Sequence, residues 1–84
     1  METWKELIIE ACNNTGEEFE TLTHTMTEKE INVPFDSGYG SEEGIPFTAW
    51  GEKYVYFPLT YDGREWVGYV PRNPCDIKTR HFGG

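Results

Sequence analysis

Four side chains of metal-binding type, Cys12, His24, Cys75 and His81, are scattered through this 84-residue sequence. None belongs to a Cys-x-x-Cys or His-x-x-x-His pair, the local unit on which structural zinc sites are built. No metal site is expected, and His24 reads as a semi-buried strand residue rather than a catalytic base. Glu17, Glu18 and Glu20 gather three carboxylates. Acid–base work would need one of them taken out of water, yet their neighbours are polar. No serine sits in a nucleophile elbow. Gly38, Gly40 and Gly44 lack the spacing of a dinucleotide loop, and no Gly-Lys-Ser or Gly-Lys-Thr follows them. The chain therefore reads as non-enzymatic and free of cofactors.

Two other patterns point to binding. The first is charge. Residues 1–43 hold eleven acids and two lysines, a net charge of minus nine; residues 44–84 hold four acids and five bases, a net of plus one. A field of one sign steers encounters with a basic partner, and Glu17, Glu18, Glu20, Glu42 and Glu43 are its expected contacts. The bland counterpart is that the glutamates keep a thin-cored domain in solution. The second is a group of rings. Trp50, Tyr54, Tyr56 and Tyr69 are expected on one sheet face, and exposed tyrosine and tryptophan are the residues found most often at the energetic centre of interfaces. The competing reading has residues 17–45 covering that face.

Composition removes further classes. The chain carries a net charge of minus eight, so it lacks the excess of Lys and Arg with which a direct nucleic-acid binder displaces counterions. No run approaches the roughly 18 apolar residues of a membrane span. The start, Met-Glu-Thr-Trp-Lys-Glu, has no cationic region and is not a secretory signal. Without such a signal the thiols Cys12 and Cys75 are expected free, in a reducing compartment, and the protein is expected in the cytoplasm. Aromatic residues make up 15 % of the chain, too many for a disordered acidic tail.

The elements that hold these residues follow from spacing. Thr3 and Glu6 form a Thr-x-x-Glu capping box. Trp4, Leu7, Ile8, Ala11 and Cys12 then fall on one helical face, and Asn13, Asn14 and Gly16 stop the helix. Leu22, His24 and Met26 alternate with threonines, which suits a short strand near 20–26. Thr27 and Glu30 form a second capping box, so 28–32 is expected as one helical turn, broken at Val33-Pro34. Residues 36–45 are a loop by composition. Residues 46–50, 54–61 and 65–72 read as three strands, with Asp62-Gly63 as a two-residue hairpin turn. That turn pairs Tyr61 with Arg64, Leu59 with Trp66, Phe57 with Gly68 and Val55 with Val70 on one face. Tyr56 with Tyr69 and Pro58 with Val67 share the other. Taking Gly51-Glu52-Lys53 as a three-residue loop sets Pro46 beside Pro58, and Phe47 and Ala49 beside Phe57 and Val55. The Phe57 face is then expected under the helix. The architecture predicted is a single α+β domain over 1–84: an N-terminal helix packed on a three- to four-stranded antiparallel sheet, with 73–84 as a loosely ordered tail.

Residues 35 to 74 carry Phe35-Asp36-Ser37-Gly38-Tyr39-Gly40, Pro46-Phe47-Thr48-Ala49-Trp50, Tyr56-Phe57-Pro58, Tyr61-Asp62-Gly63, Glu65-Trp66-Val67 and Val70-Pro71-Arg72-Asn73-Pro74. This block resembles a family of short proteins carried by bacteriophages and prophages. The resemblance rests on turn and aromatic motifs, not catalytic ones, and covers nearly half the chain. It implies an accessory protein that inhibits a host system, of the anti-CRISPR or anti-restriction kind, by occupying a basic nucleic-acid-binding surface in the bacterial cytoplasm. The expected protein is a monomer or weak dimer that binds a basic host protein, with no direct contact to nucleic acid or membrane. The alternative is a small-ligand or nucleotide module that stacks a base on Tyr56 and takes its phosphate with Arg64 or Arg72. A phage structural component is a third reading, and self-association would mark it.

Overall fold

Thr3 and Glu6 do start the first helix. Helix α1 spans Trp4–Thr15. The Thr3 hydroxyl accepts the Glu6 N–H at 3.2 Å, and the Glu6 carboxylate accepts the Thr3 N–H at 3.2 Å, which gives partners to two amides the first turn cannot bond internally. Gly16 ends the helix at φ 83°, a conformation that costs glycine little, with its N–H bonded back to the Cys12 carbonyl at 2.9 Å. In the computed structural model, residues 1–36, 44–61, 64–73 and 75–79 are described.

A turn of 3-10 helix at Phe19–Thr21 leads into β1 (Thr23–His24). Helix α2 (Glu28–Ile31) is a single turn with a complete capping box between Thr27 and Glu30. Strands β2 (Ala49–Trp50), β3 (Tyr54–Tyr61) and β4 (Arg64–Pro71) follow. The four strands form one antiparallel sheet in the order β1-β2-β3-β4. The fold is therefore the α+β arrangement the sequence predicts. The strand expected near 20–26 is only two residues long, and the one expected over 46–50 pairs only at 49–50. The expected turn at Asp62-Gly63 and most of the loop over 36–45 lie outside the described residues. In the expected tail, Asn73 and residues 75–79 are exposed.

The β3–β4 register agrees with expectation at every pair, from Tyr61 opposite Arg64 to Val55 opposite Val70. The Arg72 N–H bonds the Lys53 carbonyl at 2.7 Å. By the alternation of antiparallel pairs, 55/70, 57/68 and 59/66 exchange hydrogen bonds, while 58/67 does not. Pro58 thus turns its donorless nitrogen away from β4, toward a neighbour that has already ended at Ala49.

The β2–β3 register corrects expectation by one residue. The Gly51 N–H bonds the Tyr54 carbonyl at 3.0 Å, so the loop is Glu52-Lys53, and Ala49 pairs with Tyr56 and Trp50 with Val55. A one-residue slip exchanges the two faces of a strand. Phe47 and Ala49 therefore join the Tyr56 face, and Trp50 joins the Val55 and Phe57 face.

The helix covers the face that Phe47 and Ala49 join. The core comprises Trp4, Leu7, Ile8, Ala11 and Cys12 of α1, then Met26, Ile31, Phe35, Phe47, Ala49, Tyr56 and Val67. Helix α1 thus lies on the Tyr56 face, not on the Phe57 face as expected. Trp4 is 1 % exposed, its ring flanked by Phe35 and Phe47, each at 4.8 Å between centroids. Its indole N–H donates to the Ile45 carbonyl at 3.0 Å, so burial leaves that polar group satisfied. Glu2 and Phe35 exchange two backbone hydrogen bonds at 3.1 and 2.9 Å and tie the N-terminus to the segment after α2. No helix among the described residues is long and apolar enough to cross a membrane.

Candidate protein-binding surface

The four expected anchor rings do not form one open face. Tyr56 is 0 % exposed. Tyr54 and Tyr69 are half-buried against the core, the Tyr69 ring lying 6.3 Å from Tyr56 and edge-on to Tyr54 at 6.0 Å. Trp50 is on the opposite face of the sheet, beside Val55. A base cannot stack on Tyr56 beneath α1, which removes the platform of the nucleotide reading. Arg72 donates instead to the Gly51 carbonyl at 3.2 Å, and Arg64 lies over the Trp66 ring at 5.9 Å.

Of the expected acidic contacts, Glu17 is an internal tie. Its carboxylate accepts the Tyr56 hydroxyl at 2.7 Å and the Lys53 N–H at 3.0 Å. The Thr15 hydroxyl sits 2.8 Å from the Tyr56 oxygen. Burial pushes the Tyr56 phenol well above the usual tyrosine range, and its bond to Glu17 adds to the shift. Burial likewise pushes the Cys12 thiol up, against a lowering hydrogen bond from Tyr56. Both groups stay protonated near neutrality, so this cluster holds the α1 exit to the β2–β3 loop and supplies no nucleophile. Glu18 and Glu20 are exposed; Glu42 and Glu43 lie outside the described residues.

Exposed Glu6, Glu10, Glu18, Glu20, Glu28 and Glu30 lie on the helical segments and the cap of the 3-10 turn, with Lys5 and Lys29 among them, whereas Lys53, Arg64 and Arg72 lie on β4 or next to the ends of β3 and β4. Because α1 packs chiefly on β4, an open groove of about 310 Å³ runs between them. Leu7, Ala11 and Val67 form its apolar floor; Glu10, Asn14 and Tyr69 stand towards one end, and Glu2, Arg64 and Trp66 complete the lining. Tyr69 is the one expected anchor that reaches it. Sequence reasoning missed the groove, because it set α1 on the Phe57 face, whereas α1 packs with Tyr56 and Val67 on the other.

It also missed Glu65. This residue is 3 % exposed on the core face, and both its oxygens accept the Gly44 N–H, at 3.1 and 3.3 Å. A buried carboxylate persists only with such partners. The other sheet face carries Trp50, Val55, Phe57, Leu59, Trp66 and Val70, all half-buried. Gly68 explains part of that cover: a Cβ there would stand 2.7 Å from Leu59 Cδ1 and 2.8 Å from Phe57 Cε2. The larger side chains lie down across the glycine and close the face on itself.

Among the described residues, no three His, Cys, Asp or Glu side chains come together in a way that could hold a metal ion. Cys12 is buried and Cys75 exposed, both as free thiols. His24 stacks on Phe19 at 6.3 Å with its buried Nδ1 lacking a hydrogen-bond partner among the described residues. No family model, no curated protein and no solved structure matches this chain.

Proposed function

We propose that this chain is a non-catalytic accessory protein that binds a basic partner and blocks it by occupancy. The observation that carries this reading is the segregation of charge: six exposed glutamates against two lysines on the helical segments, with Lys53, Arg64 and Arg72 on β4 or next to the ends of β3 and β4. At physiological salt the screening length is about 8 Å, so neighbouring carboxylates add to a common field before they are screened. Such a field attracts a surface that evolved to hold phosphates. The resemblance of residues 35 to 74 to short phage proteins supports a nucleic-acid-binding effector of a bacterial host, in the cytoplasm, as that partner. The α1–β4 groove with Tyr69 at its end replaces the four-ring face as the anchor.

The test uses the heparin-binding protein fraction of a bacterial lysate, passed over the immobilised chain. Partners should be retained at low salt, released by duplex DNA, and lost when salt rises from about 0.05 to 0.5 M. A Glu18→Lys/Glu20→Lys variant, changed only at exposed positions, should retain them poorly. Retention indifferent to DNA, salt and these two charges refutes the reading.

A further inference from the structure

We infer that the groove between α1 and the outer edge of β4 takes an extended segment of the partner, bearing Lys or Arg, laid alongside β4 as an added strand. The inference rests on the reading above for the sign of the partner's charge, and names how it is held. Among the described residues, strand β4 has β3 as its one neighbouring strand and ends the sheet. The bonded parity fixed by the Arg72–Lys53 hydrogen bond means that Val67, opposite Pro58, directs its N–H and carbonyl away from β3. Those groups point along the groove side of the strand, where an extended chain can meet them. Pro71 has no N–H, and so closes the edge at its far end.

The groove's walls select the side chains. Helix α1 runs alongside β4 in the same direction: Trp4 and Glu65 both border Gly44, while the Thr15 hydroxyl meets Tyr56, which pairs with Tyr69. Leu7, Ala11 and Val67 therefore line the middle, and the exposed Glu10 carboxylate stands beside Asn14 and Tyr69 at the far end. A lysine or arginine fits that end twice over. Its aliphatic stem lies on the apolar floor and its charge reaches Glu10. A strand places alternate side chains into the groove, so an apolar residue two positions from the cation would meet Leu7 and Val67. An acidic segment would meet both Glu10 and Glu2 with like charge, against the single cation Arg64 of the lining, and the open shape suits a chain rather than an enclosed small molecule.

The experiment selects from a displayed library of random peptides of about eight residues, long enough to pair along one strand, against the full chain at low salt. Enriched peptides should carry Lys or Arg two positions from an apolar residue. A synthetic copy of the most enriched peptide is then titrated. Glu10→Gln, a change at an exposed position, should weaken it roughly tenfold, the effect of one charge-assisted hydrogen bond. Backbone N-methylation of the peptide at alternate residues should abolish binding in one register and spare it in the other, since only every second amide faces the edge. No enrichment over bare support, equal affinity for Glu10→Gln, or indifference to N-methylation in both registers overturns the inference. Full retention by the Glu18→Lys/Glu20→Lys variant, indifferent to salt and DNA, would instead strike the partner reading itself, so the two failures are distinguishable.

Discussion

Replacing Tyr56 by phenylalanine decides which face of the sheet is inside. The ring volume is kept, so no cavity opens, and only the hydroxyl is lost. That hydroxyl donates to Glu17 at 2.7 Å and lies 2.8 Å from the Thr15 hydroxyl. A hydrogen bond to a charged acceptor contributes about 1.5–3 kcal/mol net. Glu17 keeps the Lys53 N–H and is itself half-exposed, so water recovers part of the loss, and about 2 kcal/mol is expected. For a domain of this size each kcal/mol shifts Tm by roughly 4–8 °C, so the variant should melt about 8–16 °C lower. Thermal unfolding followed by circular dichroism reads this directly, with Tyr54→Phe as the control expected to change little. A cycle with Glu17→Gln should recover a coupling of about 1–2 kcal/mol between the two positions. A Tyr56→Phe protein melting within a couple of degrees of the parent, or additive single changes, would mean that the hydroxyl faces water and the helix lies on the other side.

Gly51→Ala should destabilise by about 1–3 kcal/mol in urea unfolding, because a Cβ there meets the Glu17 carboxylate carbon and Leu22 Cδ2, both at 2.8 Å, and the carboxylate is already held by Tyr56 and Lys53; an unchanged midpoint would show that the loop is not pinned. Stability should fall as pH rises above about 9. The unfolded chain releases the Cys12 and Tyr56 protons at ordinary values while burial keeps both on the folded chain, so the folded state binds more protons and the advantage present below the unfolded values is lost above them; a midpoint flat from pH 8 to 11 contradicts this. In a thiol assay with an aromatic disulfide, Cys75 should react at once and Cys12 only on unfolding, and two prompt equivalents would refute the burial of Cys12. Thr3→Ala should cost about 1 kcal/mol of stability, and no change would show that the Thr3–Glu6 box is not formed in solution.

The helix and the β3–β4 hairpin were legible because local rules leave them little freedom. The Thr3–Glu6 box and the spacing of Trp4, Leu7, Ile8, Ala11 and Cys12 fix both the start and the buried stripe of α1. A two-residue turn at Asp62-Gly63 leaves one register, and every pair from Tyr61–Arg64 to Val55–Val70 obeys it. The β2–β3 loop was not legible, since Gly51-Glu52-Lys53 suits two residues or three. A contact from outside the hairpin goes with the choice: the Glu17 carboxylate holds the Lys53 N–H and packs on Gly51. The buried face was hard to read for a related reason. Both sides of β3 are apolar or aromatic, so alternation carries no asymmetry, and the tyrosines suggest an interface as readily as a core. Glu65 gives no help either. An acid beside Val67 and Tyr69 marks a face as solvent-exposed, unless a backbone amide such as that of Gly44 is waiting for it.

The face that α1 covers also determines where charge and shape meet. Had α1 covered Phe57, Leu59 and Trp66, the hydroxyl of Tyr56 would have faced water and Glu17 would have had no reason to fold back on the β2–β3 loop. With α1 on the Tyr56 side, its stripe of Leu7 and Ala11 packs toward Val67, while Glu10 is left exposed at the groove wall. The same helix thus contributes the inner surface of the core and one bank of the groove. Its outward glutamates adjoin the exposed Glu18 and Glu20 of the 3-10 turn, which packs on α1. The carboxylates of α1 and the 3-10 turn therefore act close to the groove. Steering is most effective when it delivers a partner in the orientation that the contact needs, and a basic extended segment drawn toward these carboxylates arrives at the β4 edge.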